Sequence, residues 1–244
     1  MDKTTAVDIF NLSIRYRCLT PFSIKHNLLG KQRNKTELFE AIKAISFSVD
    51  KGEILGIVGK NGSGKSTLLR TIAGIFSPDE GYIDLHGNTV SLLSMGVGFQ
   101  KELTGRNNIL LSGMLLGFTE TEIREKMEEI ISFADIGRFI DMPVKTYSSG
   151  MYSKLAFSIT AVLKTDIILV DEVLSVGDAK FRKKSYQKME QLISDKERTV
   201  IIVSHNLNTL KKLCTHVLWM HEGKIKMLGD TQTVLKAYEA FMDC

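Results

Sequence analysis

Residues 59–67 read Gly-Lys-Asn-Gly-Ser-Gly-Lys-Ser-Thr and follow directly on the apolar run Ile54-Leu55-Gly56-Ile57-Val58. That order predicts a buried strand, a glycine loop and a helix from Ser66 to Ala73. Gly59, Gly62 and Gly64 carry no Cβ, so the N–H groups of the loop, through Lys60, Asn61 and Ser63, can turn inward around phosphates. Lys65 then reaches the β- and γ-phosphates, the Ser66 hydroxyl suits a Mg²⁺ position, and Thr67 lies at a helix start whose positive end faces the same ligand. A ligand-free glycine turn does not need strand, spacing and helix to agree, so the chain is expected to bind a nucleoside triphosphate. The loop alone does not separate a motor, a kinase, a GTPase and a transporter subunit.

The 244 residues are 43% hydrophobic, enough to fill the core of one large domain. No run approaches the roughly 18 to 20 apolar residues that span a bilayer, and Met1-Asp2-Lys3-Thr4 does not open a charged-then-apolar leader. The expectation is a cytosolic chain unless a partner holds it elsewhere. Cys18, Cys214 and Cys244 are scattered and without metal-ligand spacing, which suits reduced thiols. A net charge of +4 is too small and dispersed to argue for nucleic acid, and it does not oppose a place near an anionic membrane surface.

Strand-like sequence frames a helical middle. Val7–Arg17 and Ala44–Val49 alternate, Ile54–Val58 is a buried run, and Ile167–Val170 and Val200–Val203 are short β-branched runs. From about 101 to 160 the pattern turns helical, and a capping box of Thr119 and Glu122 opens an element that buries Ile123, Met127, Ile130, Ile131 and Ala134. One α/β domain over 1–244 is expected, with a nucleotide-binding core (1–100 and 161–244) and a helical insertion (101–160). Val217–Met220, the turn Glu222-Gly223-Lys224 and Ile225–Leu228 predict a hairpin, and Val234–Met242 a closing helix. Residues 17–40 separate the first two strands, with a solvated connection and a docking or membrane-facing loop as the alternatives.

Ile167-Ile168-Leu169-Val170-Asp171-Glu172 is an apolar strand ending in two carboxylates, about a hundred residues after the glycine loop. Asp171 is placed to hold Mg²⁺, usually through water, and Glu172 to orient or deprotonate an attacking water. Tyr147-Ser148-Ser149-Gly150-Met151 opens a helix whose Leu155, Ile159 and Val162 face a core. A serine hydroxyl with free N–H groups at a helix start makes a second anion site, or an ordinary N-cap.

Taken in order, the glycine loop, Gln100 of Gly98-Phe99-Gln100, Tyr-Ser-Ser-Gly-Met, the acidic pair, Ser175-Val176-Gly177-Asp178 and His205 after Val200–Ser204 resemble the ATP-binding cassette ATPases over nearly the whole chain. The resemblance implies a P-loop NTPase fold with a RecA-like core, an antiparallel β subdomain and an inserted α-helical subdomain. It implies an ATPase using ATP and Mg²⁺, with two copies head to tail and each ATP held between the loop of one and the serine-glycine motif of the other. Ser148, Ser149, Gly150 and Asp178 would serve the neighbouring copy's ATP, Asp178 also facing the opposite subunit and coupling the two sites. Gln100 would complete the Mg²⁺ shell with Ser66 and Asp171, while His205 would contact the γ-phosphate and steady the water near Glu172. Tyr16 would stack on adenine, with Phe39 as its competitor.

Tyr147, Ser149 and Met151 depart from the family's commonest Leu-Ser-Gly-Gly-Gln, and Val176-Gly177 from its usual Ser-Ala-Leu-Asp. Together with Leu103-Thr104-Gly105-Arg106-Asn107-Asn108-Ile109, these departures resemble the bacterial branch that exports lipid-linked cell-surface polymers, wall teichoic acid or O-antigen and capsular polysaccharide. That implies two membrane-spanning permease subunits, a place on the cytoplasmic face of the membrane, and no nucleic acid partner. The alternative is a soluble cassette ATPase of repair, translation or iron–sulfur assembly. One phosphate loop, no heptad array and no cysteine cluster argue against it.

Overall fold

A computed structural model describes residues 5–18, 37–93, 96, 98–171, 177–193, 195 and 197–242. Glu172, Ser175 and Val176 lie outside the described residues, as does the stretch 19–36.

β1 (Thr5–Cys18) and β2 (Glu37–Asp50) form a long antiparallel pair, and β3 (Ile54–Val58) leads into the glycine loop and α1 (Lys65–Ile72). β4 (Glu80–Asp84) pairs with the other side of β1, giving a three-stranded antiparallel sheet in the order β2-β1-β4. β2 thus begins seven residues before the expected Ala44, so the connection expected over 17–40 narrows to 19–36. The chain then runs through β5 (Val90–Leu92) to the helices α2 (Gly105–Leu115), α3 (Glu120–Ala134) and α4 (Ser149–Val162).

The remaining elements are β6 (Ile167–Asp171), α5 (Ala179–Ile193), β7 (Thr199–Val203), α6 (Leu207–Leu213), β8 (His216–His221), β9 (Lys224–Asp230) and α7 (Thr231–Met242). The second sheet has the order β5-β6-β7-β3-β8-β9, parallel except for the β8–β9 hairpin. The hairpin turns at Glu222 (φ 50°) and Gly223 (φ 79°), two successive left-handed residues of the kind that match strand twist.

Alternation along buried strands explains the layering. Ile167 and Leu169 of β6 face one side of the parallel sheet, while Ile168 and Val170 face the other. On the first side α1 buries Leu68, Leu69 and Ile72 between the two sheets, each contributing roughly 1.5–3 kcal/mol relative to exposure. The opposite side is covered by α5, α6, α7 and part of α4. A third apolar cluster joins α2, α3 and the remaining face of α4 through Ile109, Ile123, Ile130, Leu155 and Ile159.

α4 is therefore shared. Phe157 and Ala161 reach the sheet, while Leu155, Ile159 and Val162 hold the helical unit. In α3 the Thr119–Glu122 capping box forms as expected, and Ile123, Met127, Ile130 and Ala134 are buried. Ile131 is only partly buried against the same cluster.

Candidate nucleotide site

The loop between β3 and α1 bends around glycines whose neighbours leave no room for a side chain. A Cβ on Gly59 would lie 2.3 Å from the Met220 carbonyl oxygen, and one on Gly64 (φ 101°) 2.6 Å from that of Ala41. Backbone of β8 and β2 thus presses the loop into a tight cradle. Lys65 is buried at its base, and its Nζ donates to the carbonyls of Gly59 at 2.8 Å and Lys60 at 3.1 Å. Ser63 is also buried, and its hydroxyl has no hydrogen-bond partner among the described residues.

Tyr16, Phe39, Asn61, Gly62, Gly64, Lys65, Ser66, Thr67 and His205 line a cleft of about 310 Å³ over this loop. The antiparallel sheet supplies its aromatic wall, because β1 and β2 place Tyr16 directly opposite Phe39. Tyr16 is held by its hydroxyl, 3.2 Å from Thr67 Oγ1, and by edge contact with Phe76 at 6.0 Å. Phe39 is about half exposed. Both adenine candidates therefore reach the cleft, Phe39 with the more open ring.

Two oxygens for a hard cation meet at the same loop. The Ser66 hydroxyl donates to Asp171 Oδ1 across 3.1 Å, bringing the first turn of α1 against the end of β6. One hydroxyl and one carboxylate fit Mg²⁺, which usually takes its other oxygens from substrate phosphates and water. The glycine cradle, the buried ammonium of Lys65 and this pair fit a magnesium nucleotide. Gln100 is exposed and is not among the residues that line the cleft. Glu172 is outside the described residues.

Gln100 is nevertheless fixed in place. Buried Asn108 accepts from its N–H at 2.7 Å and donates to the carbonyls of Gln100, Leu103 and Thr104 at 3.0, 3.1 and 2.8 Å. Sequence reasoning quoted Asn108 only within a motif and missed this brace. Its signal was a buried-face helical position occupied by an amide, which must find partners.

Ser148, Ser149 and Gly150 sit elsewhere, in an open concavity of about 510 Å³ shared with Ser153, Lys154, Gly177 and Asp178. Ser148 caps α4, its Oγ accepting from Met151 N–H at 3.2 Å. A Cβ on Gly150 would meet only the Ser148 hydroxyl, at 3.8 Å, so the helix start is open to an incoming group. Asp178 Oδ1 accepts from Phe181 N–H at 2.9 Å, and its Oδ2 lies 2.6 Å from Lys154 Nζ. These contacts hold the Asp178 carboxyl down at about 2, the Lys154 hydrogen bond being the largest cause. Tyr147 turns away from this concavity. Its hydroxyl donates to the Phe139 carbonyl at 2.7 Å, and burial pushes the phenol up to about 12.

A family model described as ABC transporter matches residues 42–175. The chain is 42% identical over 241 residues to the teichoic acids export ATP-binding protein TagH of Staphylococcus epidermidis, covering 98% of this chain and 90% of that relative. It is 42% identical over 212 residues to the O-antigen export system ATP-binding protein RfbB of Myxococcus xanthus, covering 86% of this chain and 48% of the relative. With TagH of Bacillus anthracis the identity is 45% over 222 residues, covering 91% and 40%. The chain thus spans less than half the length of these last two relatives.

Among solved structures, a dimeric ATP-binding cassette in a post-hydrolysis state with ADP and phosphate superimposes with a TM-score of 0.68 at 20% identity, covering 92% of this chain and 98% of that one. An ATP-binding subunit of an ABC transporter gives 0.71 at 20% identity, covering 96% and 94%. Both share the fold of the two sheets and the helical unit. With the phosphate cradle, the Ser66–Asp171 pair and the capped Ser148 helix in one chain, these matches place the protein in the ABC transporter family, as one of its ATP-binding cassettes.

Proposed function

We propose that this chain is the ATP-hydrolysing subunit of a bacterial exporter of a lipid-linked cell-surface polymer, of the teichoic acid or O-antigen and capsular polysaccharide class. The observation that carries the ATPase half is the separation of two concavities. The cleft over the glycine loop and the pocket at Ser148–Gly150 have no lining residue in common. One chain then offers half of each of two sites, and a second copy turned head to tail supplies the missing halves.

In this reading Lys65 and the loop N–H groups bind the phosphates, Tyr16 and Phe39 flank the adenine, and Ser66 with Asp171 would hold Mg²⁺. Bound there, Mg²⁺ would neutralise charge on the β- and γ-phosphates during transfer to water. Glu172 orients or deprotonates that water and His205 steadies it. Ser148, Ser149 and Gly150 offer helix-start N–H groups to the γ-phosphate of the other copy. Residues 101–160, with Gln100 at their edge, form the helical unit that touches two membrane-spanning permease subunits from the cytoplasmic face. No helix among the described residues is long and apolar enough to cross a membrane, and the permease subunits would supply that path.

The polymer class is supported by the names of relatives aligned along 86% to 98% of the chain. Two of the stretches that carry the resemblance touch: a Cβ on Gly105 would lie 2.2 Å from the Tyr147 hydroxyl. Tyr147 and the Leu103–Ile109 stretch are thus one packed unit. Depleting the chain should leave lipid-linked polymer on the inner side of the membrane. Unaltered surface polymer after depletion rejects the export reading and leaves the ATPase reading standing.

A further inference from the structure

The β8–β9 hairpin touches the phosphate loop and the aromatic strand at once, through a single residue. Gly223 N–H donates to the Ser63 carbonyl at 3.2 Å, and the Gly223 carbonyl accepts from Lys43 N–H at 2.8 Å. Ser63 belongs to the glycine loop, and Lys43 stands in β2, on the strand that carries Phe39. β2 is the edge of its sheet, and β1 is its only strand partner among the described residues. The hairpin turn meets its other edge. Three backbones also converge on one atom: a Cβ on Gly64 would lie 2.6 Å from the Ala41 carbonyl oxygen, and one on Gly223 2.8 Å from the same oxygen. Ala41 is buried, and together with Phe39 it lines the cleft.

The two ends of this strut are held with different firmness. The loop is fixed on both sides, by β3 inside the parallel sheet and by α1, whose Leu68, Leu69 and Ile72 are buried. The start of β2 pairs with β1 alone, and Leu38 and Phe39 are 63% and 51% exposed there. A change at Gly223 therefore shifts the strand and its ring before it shifts the loop. At φ 79° the glycine is left-handed, and a side chain on it would press on backbone, which has no rotamer to give. On the nucleotide reading, on which this inference rests, Phe39 flanks the base. We propose that Gly223 is a positioning residue that fixes the span from the phosphate loop to the Phe39 ring, so that the cleft selects a nucleotide by the distance between its base and its phosphates. A ligand made of phosphates alone does not cross that span and is indifferent to the strut.

The test is the Kd of the full chain, without Mg²⁺, for ATP and for inorganic tripolyphosphate, in wild type, Gly223→Ala, Phe39→Ala, the double variant and Gly87→Ala. Gly87 is another left-handed turn glycine (φ 74°), and a Cβ there meets nothing within 4 Å, so its alanine carries the backbone strain without the contact. Gly223→Ala should raise the Kd for ATP roughly 5- to 20-fold, the lower part of what base–aromatic stacking is worth, and leave that for tripolyphosphate within about twofold. Gly87→Ala should change neither. In the Phe39→Ala background, Gly223→Ala should add less than about twofold, because the ring it positions is gone. One extra glycine inserted between Glu222 and Gly223 slackens the strut without a clash, and replaces Gly223→Ala in every comparison if that variant does not fold. Four results each overturn the strut alone: unchanged ATP affinity in Gly223→Ala, tripolyphosphate weakened in step with ATP, Gly87→Ala weakening ATP as much, or effects of Gly223→Ala and Phe39→Ala that multiply. If Phe39→Ala binds ATP as tightly as wild type, the place of the base is overturned and the strut with it.

Discussion

Ser66 and Asp171 stand 105 residues apart in sequence and 3.1 Å apart in space, hydroxyl to carboxylate. β6 runs beside β7, which runs beside β3, so the acidic end of one strand reaches the loop that follows another. Carboxyl ends of parallel strands are where open α/β sheets collect their chemistry. Asp171→Asn should lower Mg²⁺-dependent ATP hydrolysis at least about 100-fold, a loss on the order of 3 kcal/mol of transition-state stabilisation. Steady-state turnover against Mg²⁺ checks this, together with nucleotide binding in EDTA, which should stay within a few fold.

Phe39 presents the more open of the two rings at the cleft, while Tyr16 is pinned by Thr67 and Phe76. Base–aromatic stacking is worth about 1–3 kcal/mol, so Phe39→Ala should raise the Kd for ATP roughly 5- to 150-fold. Tyr16→Phe, which keeps the ring and loses only the contact to Thr67, should stay within about twofold. Calorimetric titration of both variants, with Tyr16→Ala beside them to remove the other ring, distinguishes the two aromatics.

Gly105 lies under the Tyr147 hydroxyl and against Ile140. Gly105→Ala therefore overfills this corner of the helical unit and should cost about 1–3 kcal/mol in chemical denaturation. Adding Tyr147→Leu should recover part of that loss, because the shorter side chain vacates the position the new methyl needs.

Cys214 is partly buried against β3, where Gly56 leaves room for its Sγ, and burial pushes the thiol up to about 12. The thiolate is the reactive form, so the native thiol should resist modification at pH 8. In a Cys18→Ser, Cys244→Ser background, labelling by a maleimide should be slow until denaturant is added. The sign for stability follows: a raised native pKa contributes stability below the unfolded value near 9, and that contribution fades as pH climbs toward 12.

The strand, glycine loop and first helix were legible because they are local: an apolar run, left-handed glycines and a helix start within twenty residues. The Thr119 box and the β8–β9 turn were legible for the same reason. β4 and β5 were not. β4 is exposed at nearly every position and β5 is three residues long, so neither carries an alternation to read. The early start of β2 was hidden because Leu38 and Phe39 are exposed and become strand only by pairing with Arg17 and Tyr16. That pairing turns the choice between Tyr16 and Phe39 into a shared wall. Asn108 and Lys154 escaped because their partners are fixed by tertiary contact rather than by spacing.

The central claim is that each ATP is closed by a second copy of the chain, and sedimentation of two variants tests it most directly. With ATP and Mg²⁺, Glu172→Gln should sediment as a dimer holding one ATP per chain. Glu172→Gln combined with Gly150→Asp should bind ATP equally well through Lys65 yet remain a monomer. An aspartate in the first turn suits the α4 helix dipole, so the fold tolerates it, while its charge repels the partner's γ-phosphate. A monomeric Glu172→Gln at saturating ATP, or an ATP-dependent dimer that persists with Gly150→Asp, would contradict the account.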